Sequence, residues 1–357
     1  MPGLGELRRG RLSLGILGVI LVLLIFVSFL LGRYPVPPVM LVRVLVHKLL
    51  LGLGNLLSRI IPSAASWGLD VDWDGSMEAV AWNIRLPRIL LSCMVGCCLS
   101  TAGASYQGVF QNPMASPDIL GATNGAAFGA SLAILLGADS HMVTVSAFCF
   151  SIVTVAAAFL VSRVAGGKRV LTLVLAGIMV GSIFSAGTSF VKLVADPSNQ
   201  LPEITYWLMG SLSGAKWDQV GLAVIPMAVG LVPLLLLRWR VNVLTLGDDE
   251  ARTMGVNAGR VRLAVILCAT LITAASVAVS GMIGWVGLVI PHLSRKLVGN
   301  DYRYLMPASM LFGAAFMLAV DNVSRNLLAT EIPIGILTAF VGAPFFIWLI
   351  TRKGDAF

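Results

Sequence analysis

The sequence predicts an all-α, polytopic membrane protein with about ten transmembrane helices. Hydrophobic residues make up 57% of the 357 residues, charged residues only 12%, and mean hydropathy is +0.91. A soluble globular domain carries about 25% charged residues. Apolar runs of about 20 residues, long enough to cross a bilayer, alternate here with short polar segments. These observations favour a single transmembrane domain over residues 1–357, without a soluble domain or a clear internal repeat.

The first apolar run covers residues 12–31 and follows three arginines, Arg8, Arg9 and Arg11. This charge layout is also that of a signal peptide. Because the run is long and ends at 32–35 without a small-residue cleavage site, we interpret it as a retained first helix.

Residues 33–84 are interpreted as an external loop that contains a short helix. The apolar stretch 39–57 carries polar side chains in its middle, namely Arg43, His47 and Lys48. Charges at bilayer depth are costly, so we expect this helix to lie at the external membrane surface. The stretch 70–78 is then expected to be an exposed acidic loop.

The remaining apolar runs predict the other spans. The second runs from 83 to about 106, and a polar hinge with two prolines leads into the third, which begins at 121. Residues 195–218 are expected to form an external loop with aromatic side chains at the interface level. The later spans are expected at about 142–162, 170–191, 219–237, 261–280, 287–296, 305–320 and 333–350.

Small residues recur at four-residue spacing in three of these spans. Such stripes let a neighbouring helix approach closely, so we expect them at helix–helix contacts. The stripes are Ser92, Gly96, Ser100 and Ala104 in the second span, Gly121, Gly125 and Gly129 in the third, and Gly177, Gly181, Ser185 and Ser189 in the fifth.

The distribution of positive charge predicts that both termini lie inside the cell. Of the 25 lysine and arginine residues, sixteen fall on inside segments and nine on outside segments, and the short inside loops are the denser in charge. The inside set is Arg8, Arg9, Arg11, Arg163, Lys168, Arg169, Arg238, Arg240, Arg252, Arg260, Arg262, Arg295, Lys296, Arg303, Arg352 and Lys353. The outside set is Arg33, Arg43, Lys48, Arg59, Arg85, Arg88, Lys192, Lys216 and Arg325.

A polar stretch between two apolar runs, residues 244–257, predicts a short amphipathic helix outside the bilayer. Gly247 ends the preceding helix, and three acidic residues at 248–250 follow, where the dipole of a new helix favours negative charge. Gly255 suits the position that stops this helix after about two turns. The helix is either a rigid knob that receives force from a partner or an ordinary linker, and these residues alone leave both interpretations open.

Motifs of enzymes and of nucleotide-binding proteins are absent from the sequence. There is no hydrolase, zinc-protease or P-loop pattern, since residues 166–168 lack the earlier glycine and the following Ser or Thr. The five cysteines lie in apolar runs and the three histidines are scattered, so we predict no catalytic residue, metal site or cofactor. The charge of +8 is attributed to membrane orientation, and no nucleic-acid partner is expected.

The spans contain few groups that could couple transport to an ion gradient. Ion-coupled carriers usually place an acid, lysine or histidine near the middle of the membrane. Here Lys192, Asp321 and Glu331 are expected at span ends. The pattern therefore favours a carrier whose energy comes from another protein. The alternatives are an ion-coupled secondary transporter that works alone, and a channel-like or receptor subunit without a transport cycle.

Several motifs resemble those of the FecCD-type permeases, the membrane subunits of ABC importers for iron-siderophores, haem and vitamin B12. The resemblance extends from Ile84 to Ile350 in the family's order and spacing, and residues 33–83 are longer than is usual there. It implies the type II ABC importer permease fold. The motifs are 84–88 (IRLPR), 111–121 (QNPMASPDILG) with 124–126 (NGA), 175–178 (LAGI), 206–211 (YWLMGS), 246–251 (LGDDEA) with 254–257 (MGVN), 284–292 (GWVGLVIPH), 321–325 (DNVSR), 332–335 (IPIG) and 342–345 (GAPF).

The resemblance implies a homodimer in the bacterial cytoplasmic (inner) membrane. Its partners would be two cytoplasmic ABC ATPase subunits, which use ATP and Mg²⁺, and an external substrate-binding protein. The cargo would be an iron chelate such as a siderophore or haem, or a related metal complex such as vitamin B12, moved inwards by alternating access. Residues 244–260 would form the coupling helices that contact the ATPases, through Gly247, Asp248, Asp249, Glu250, Ala251, Arg252, Met254 and Gly255.

The resemblance also assigns three further groups of residues. Arg85, Arg88 and Arg325 match outer-face arginines that dock the binding protein, although they could instead be anchors that extend to the membrane surface. Asn112 and Met114 match the cytoplasmic gate, for which the alternative is a simple turn between helices. The third group is implied to line a pathway at the dimer axis, and the alternative for it is helix packing. That set is Asn124, Gly177, Gly181 and Ser185.

Overall fold

The computed structural model describes residues 4–57, 71–165 and 169–351. In this part of the chain the secondary structure is helical, and the helices are connected by short turns. Positions named above that lie outside the described part are Arg59, Asp70, the turn 166–168 with Lys168, Arg352 and Lys353, together with the side chains of Arg8, Arg9 and Arg169.

The helices follow one another closely along the chain. A π-helical segment, Ala79–Arg85, joins α3 to α4, and a 3₁₀ turn, Pro117–Leu120, precedes α5. The α-helices are α1 (Leu4–Leu30), α2 (Pro38–Leu57), α3 (Gly75–Glu78), α4 (Leu86–Val109), α5 (Ala122–Leu135), α6 (Ser140–Ala165), α7 (Arg169–Val194), α8 (Gln200–Leu208), α9 (Trp217–Leu244), α10 (Asp248–Thr253), α11 (Ala258–Ser280), α12 (Val286–Val298), α13 (Tyr302–Asn326) and α14 (Ile334–Thr351).

The predicted all-α membrane fold is confirmed, and each predicted span corresponds to one helix. Among the described residues, 8 helices are long and apolar enough to cross a membrane, and α5 and α14 are shorter apolar helices. At 1.5 Å per residue, the 14 residues of α5 and the 13 of α12 extend for about 20 Å, less than the roughly 30 Å of bilayer hydrocarbon. Both helices therefore cover only part of the membrane depth.

Helix α4 lies at the centre of the main hydrophobic core and packs against α13, α11, α12 and α9. The small-residue stripe predicted for this helix forms its contact with α13. A Cβ atom built on Gly96 would overlap the carbonyl oxygen of Gly313, and Ser100 Oγ donates to Ser309 O at 2.7 Å. Glycine at both positions allows the two backbones to touch, as close helix packing in membranes requires.

The two ends of the bundle carry different groups. We call the end that carries residues 244–260 the knob end, and the other, which carries Arg85, Arg88 and Arg325, the arginine end. Helix α4 connects them, and its 24 residues span about 36 Å. Helix α1 runs from the knob end to the arginine end, since Gly10 lies against the Tyr304 ring and Ser28 Oγ donates to Asn322 Oδ1.

The segment 33–84 is more ordered than the sequence predicts. Helix α2 is present, and its Leu41 and Val44 pack in a separate hydrophobic cluster near the arginine end. Two ion pairs, Arg43–Asp72 and Lys48–Glu78, hold it to the segment that follows. These contacts hold part of α2 at the arginine end, and its length and composition would allow it to cross a membrane, so a position at the membrane surface stays a prediction.

The expectation of an exposed acidic loop at 70–78 holds only in part for the described residues, because Asp72 and Asp74 are exposed but Trp73 is not. Trp73 is buried among the apolar residues of the α2 cluster, and its indole ring contacts the imidazole ring of His47. Asp74 then caps a new helix by accepting from Ser76 N, so the second span begins at Gly75 and continues to Val109. The tryptophan packs against α2 and Asp74 starts a new helix, so a tertiary contact and a helix cap fix this stretch.

Two other boundaries differ from the prediction. The segment 195–218 contains α8, whose Ile204 is fully buried, and Gln200 Nε2 donates to Leu135 O at the end of α5. Helix α13 does not end at Asp321 but continues to Asn326, because Asp321 is buried and paired.

Candidate functional site

The polar stretch after α9 forms the short helix that the sequence predicts. Gly247 has φ +126° and Gly255 has φ +75°, so glycine is the residue that tolerates both positions. At the C-terminus of α10, Val256 N donates to Ala251 O at 2.8 Å and Gly255 N donates to Arg252 O at 3.0 Å. This pair of bonds is a Schellman motif, which satisfies the last carbonyl groups and stops the helix.

Helix α10 is attached to the bundle by a few contacts on one side. Ala251 and Val256 are buried in the main core. Arg262 of α11 donates to both carboxylate oxygens of Asp248, the shorter bond being 2.7 Å. The acidic residues of the first turn therefore have different roles. Asp248 holds the helix in place, while Asp249 faces solvent with its side chain 92% exposed.

The solvent-facing side of this knob is compact and charged. Glu250 and Met254 are exposed, and Arg252 forms a 3.4 Å ion pair with Asp249 on the surface. An exposed pair of this kind contributes little to stability. The arrangement is a rigid helix with one side facing solvent. The exposed side chains on that side do not attach the helix to the bundle.

The chain turns sharply after α4, close to the knob. Gln111 has φ +50°, an uncommon conformation for a residue other than glycine. Gln111 N donates to Gly108 O and Asn112 N donates to Gln107 O, so the turn is a second Schellman motif with glutamine at the position that glycine usually occupies. The Gln111 side chain donates to Leu244 O at 2.7 Å, at the end of α9.

Gln111 thus connects the turn after α4 to the start of the knob. This role of Gln111 was not predicted from the sequence, because a left-handed conformation at glutamine does not change the hydrophobic pattern. The two predicted gate residues follow immediately. Both Asn112 and Met114 are exposed at the knob end, and Asn112 Oδ1 accepts from Met114 N at 2.9 Å.

The predicted pathway residues of α7 do not share one face. Gly177 and Gly181 are buried against the 3₁₀ turn and α5: a Cβ on Gly177 would lie 2.6 Å from Ile119 O, and one on Gly181 2.9 Å from Asn124 Nδ2. Within one protomer these two glycines are therefore packing residues, and a pathway role for them stays a prediction. Ser185 is exposed, and Asn124 is half-buried beside Gly181.

Helix geometry explains this division. A step of four residues turns an α-helix by about 400°, so a four-residue stripe rotates by about 40° per step. Over three such steps the α7 stripe leaves the α5 contact and reaches the exposed face. The serines on that exposed face are Ser182, Ser185 and Ser189.

At the arginine end, Arg88 forms a buried ionic cluster with two carboxylates. Its Nε and Nη2 atoms each lie 2.9 Å from Asp321 Oδ1, and its Nη1 atom lies 2.8 Å from Glu331 Oε1. Asp321 is fully buried, and the Arg88 side chain is 8% exposed. Buried charges are tolerated when they are paired and hydrogen-bonded in this way.

The other two arginines bind the end of α1. Arg325 donates to Ser28 O at 2.9 Å and lies 3.8 Å from Asp321 Oδ2. Arg85 donates to the carbonyl oxygens of Phe29 and Tyr34. These bonds satisfy carbonyl groups that the last turn of a helix leaves without partners.

The three arginines therefore differ from the outward-facing groups that the sequence analysis expects. All three are buried, and each is engaged by groups of its own chain. The physical reason is the end of α1, whose carbonyl oxygens face α4 and α13 at this level. The sequence gives no sign of that contact, because α1 and α13 are far apart along the chain.

An all-helical bundle with many membrane-length helices, a short charged helix at one end and buried ion pairs at the other defines a multi-pass membrane permease. The chain belongs to the FecCD transport family, whose model matches residues 20–352. The resemblance seen in the sequence motifs is confirmed.

Curated relatives of the chain are permease proteins of import systems. The molybdate import system permease protein MolB of Haemophilus influenzae is 42% identical over 273 residues, which are 76% of this chain and 81% of the relative. The cobalamin import system permease protein BtuC of Halobacterium salinarum is 40% identical, covering 77% and 74% of the two chains. The hemin transport system permease protein HmuU of Yersinia pestis is 38% identical, covering 79% and 87%.

A solved structure is also similar over nearly the whole chain. It is an inward-facing conformation assigned to a metal-chelate type ABC transporter, with a TM-score of 0.80 and 38% sequence identity. The match covers 95% of this chain and 98% of the other. The arrangement of the helices is thus that of a known transporter fold.

Proposed function

We propose that the chain is the permease subunit of an ABC importer that passes a metal complex into the cytoplasm. Separate ATPase subunits would supply the energy, and this chain would carry no catalytic site. The observation that carries the proposal is the knob: a rigid α10 whose anchoring contacts leave Asp249, Glu250 and Met254 exposed. A surface of this kind is suited to receive force from a docked motor.

The charges of the described residues support placing the knob end inside the cell. At the arginine end, several basic residues are neutralised by carboxylates of the chain, namely Arg43, Lys48 and Arg88. At the knob end, several basic residues form no ion pair with a described residue, and excess positive charge is retained on the inner side. These are Arg238, Arg240, Arg260, Arg295 and Lys296.

We propose the class of cargo from what the names of the relatives share. Their names refer to molybdate, cobalamin, hemin, iron chelatin and ferric citrate, so a metal-containing complex is the common element. We extend this class to the present chain, with an iron chelate, haem or cobalamin as the sequence analysis expects and a metal oxyanion as an added member.

The remaining partners are proposed from the exposed surfaces. A second copy of the chain would pack beside the serine face of α7, so that Ser182, Ser185 and Ser189 line the shared pathway. Asn112 and Met114 would close it at the knob end. An external binding protein would dock at the arginine end, where an acidic residue could reach Arg88 only by replacing Glu331.

The knob proposal is tested by reversing only its exposed charges. Asp249→Lys with Glu250→Lys should reduce ATP-driven uptake by about tenfold or more, because a few charge-assisted contacts with the ATPase would become repulsive. Uptake is measured in proteoliposomes with the ATPase, using molybdate, hemin, ferric citrate and cobalamin as cargo probes. Asp248 is left unchanged because its bond to Arg262 holds the helix.

The matched control is Asp218→Lys. Asp218 is likewise an exposed acid in the first turn of a helix, but it lies at the arginine end. Its reversal should leave coupling unchanged. Normal uptake by the double variant, or an equal loss in the control, would contradict the assignment of the knob.

A further inference from the structure

The knob end contains a cavity that has no role in the coupling or the gating proposed above. It has a volume of about 520 Å³ and lies between the turn after α4, the start of the knob and the last turn of α12. A single water molecule occupies about 30 Å³ in the liquid, so the cavity can hold a polyatomic group with its hydration. Gln111 and Asn112 form one wall, and Arg295 and Lys296 form the opposite one.

The cavity wall is strongly basic. Arg295 donates to Gln107 Oε1 at 2.6 Å and to Tyr302 Oη at 3.4 Å, both neutral acceptors. A guanidinium group has five N–H donors, so most of its donor capacity is left for a ligand. Lys296 is exposed, and its ammonium group lies 5.0 Å from the centre of the Trp348 ring.

Among the residues that the structure describes, no carboxylate lines this cavity. Neither Arg295 nor Lys296 forms an ion pair with a residue in the described ranges. The nearest acid in sequence is Asp301, which is held by a 2.7 Å ion pair with Arg303. Partial burial raises the pKa of Asp301, but hydrogen bonds from Arg303 and its charge outweigh this and hold the pKa below its ordinary value. Asp301 is thus ionised but directed to another cation.

Neutral groups complete a donor set around the two cations. The side-chain amide of Asn112 and the imidazole of His292 line the cavity. Two cations with neutral donors and no acid are the groups that bind phosphate oxygens. By contrast, the larger cavity beside the knob contains the Asp248–Arg262 pair, so its charge is internally compensated.

We propose that this basic cavity binds a phosphate group, held by Arg295 and Lys296 with amide donors from the turn after α4. The phosphate comes either from the headgroup of an anionic lipid at the inner membrane surface or from free phosphate in the cytoplasm. Because the same turn carries the proposed gate, an occupied cavity would hold α12 and that turn together. The site does not depend on which cargo is carried or on an ATPase.

The test measures binding to the full chain purified in an uncharged detergent. Inorganic phosphate is one probe and short-chain phosphatidylglycerol is the other, with short-chain phosphatidylcholine as the uncharged-lipid comparison. Lys296→Gln should weaken binding of the true ligand by about tenfold, the effect of one lost charge-assisted hydrogen bond. Arg260→Gln, an exposed cation of the knob end outside the cavity, should change the affinity by less than about twofold.

Arg295→Gln should show the same loss as Lys296→Gln, but it also removes bonds to Gln107 and Tyr302. The exposed Lys296 therefore provides the variant that does not affect folding. Specific loss for phosphate assigns the free ion, and specific loss for phosphatidylglycerol assigns the lipid. The proposal is overturned if neither probe binds, or if Arg260→Gln weakens binding as much as Lys296→Gln.

Discussion

At the scale of single residues, Arg88 is the side chain whose surroundings constrain it most. Its guanidinium group joins the fully buried Asp321 of α13 to Glu331 in the segment before α14. Burial removes the hydration of Arg88 and Asp321, and hydrogen bonds replace it, while the Glu331 side chain remains 30% exposed. Loss of one partner would leave the others charged and unpaired, which is the costly state.

Arg88→Gln should therefore lower the free energy of unfolding by about 3 kcal/mol, because the buried Asp321 keeps only the more distant Arg325, at 3.8 Å, as a counter-charge. The measurement is denaturant unfolding in a mild detergent. Arg43→Gln breaks a pair whose side chains are 36% and 48% exposed and should cost less than about 1 kcal/mol. The double variant Arg88→Met with Asp321→Leu should be more stable than Arg88→Gln; equal stability would mean that the buried charge is not the cause.

Gln111 provides a second residue-scale prediction, because its backbone conformation and its side chain have opposite effects. Gln111→Ala keeps the left-handed conformation and loses the bond to Leu244 O, whereas Gln111→Gly loses the same bond but relieves the backbone. The glycine variant should be the more stable of the two by about 1 kcal/mol. Paired unfolding curves measure the difference, and a less stable glycine variant would show that this turn is not strained.

At the scale of elements, the knob shows why some boundaries are readable in a sequence. Gly247 and Gly255 adopt backbone conformations that other residues avoid, and the acids between them favour the start of a helix. These signals are local, so the sequence alone predicted where α10 begins and ends. The small-residue stripe of α7 carried no comparable signal, and its rotation around the helix separated Gly177 and Gly181 from Ser185.

Gly255→Ala tests whether a rigid end of α10 matters for coupling. A Cβ at this glycine would meet nothing within 4 Å, so the substitution costs only the left-handed backbone, about 1 kcal/mol. We expect fewer cargo molecules imported per ATP hydrolysed, because the Schellman motif that fixes the helix is weakened. Gly137→Ala is the control, since Gly137 also has a positive φ in open space but lies beyond the end of α5. A coupling ratio that falls equally in both variants would contradict the role of the knob.

At the scale of the whole molecule, composition and hydropathy were enough to predict a helical membrane bundle. They were not enough to predict contacts between distant segments. The burial of Arg85 and Arg325 depends on the end of α1, and the burial of Trp73 depends on α2. Each involves groups that only the folded chain brings together. The burial of Trp73 in the expected acidic loop, and of the arginines that the family resemblance places at the outer face, therefore results from tertiary contacts that the sequence does not show.

The orientation of the bundle is a prediction at this same scale. In a variant whose native cysteines are replaced by serine, Asp249→Cys should react with a membrane-impermeant thiol reagent only when the reagent reaches the cytoplasmic side. Asp218→Cys should react from the outside of intact cells, because α9 places the two residues at opposite ends. Labelling of Asp249→Cys in intact cells would show that the predicted topology is wrong and that the knob end lies outside.

The central claim is that the chain is a gated conduit driven by a separate motor. Its most direct test is cargo uptake into proteoliposomes that contain the purified chain with and without its ATPase. The account predicts accumulation of one of the four cargo probes only when both ATPase and ATP are present, and no accumulation with a proton or sodium gradient alone. Uptake by the chain alone under an ion gradient would contradict the account and favour a secondary transporter.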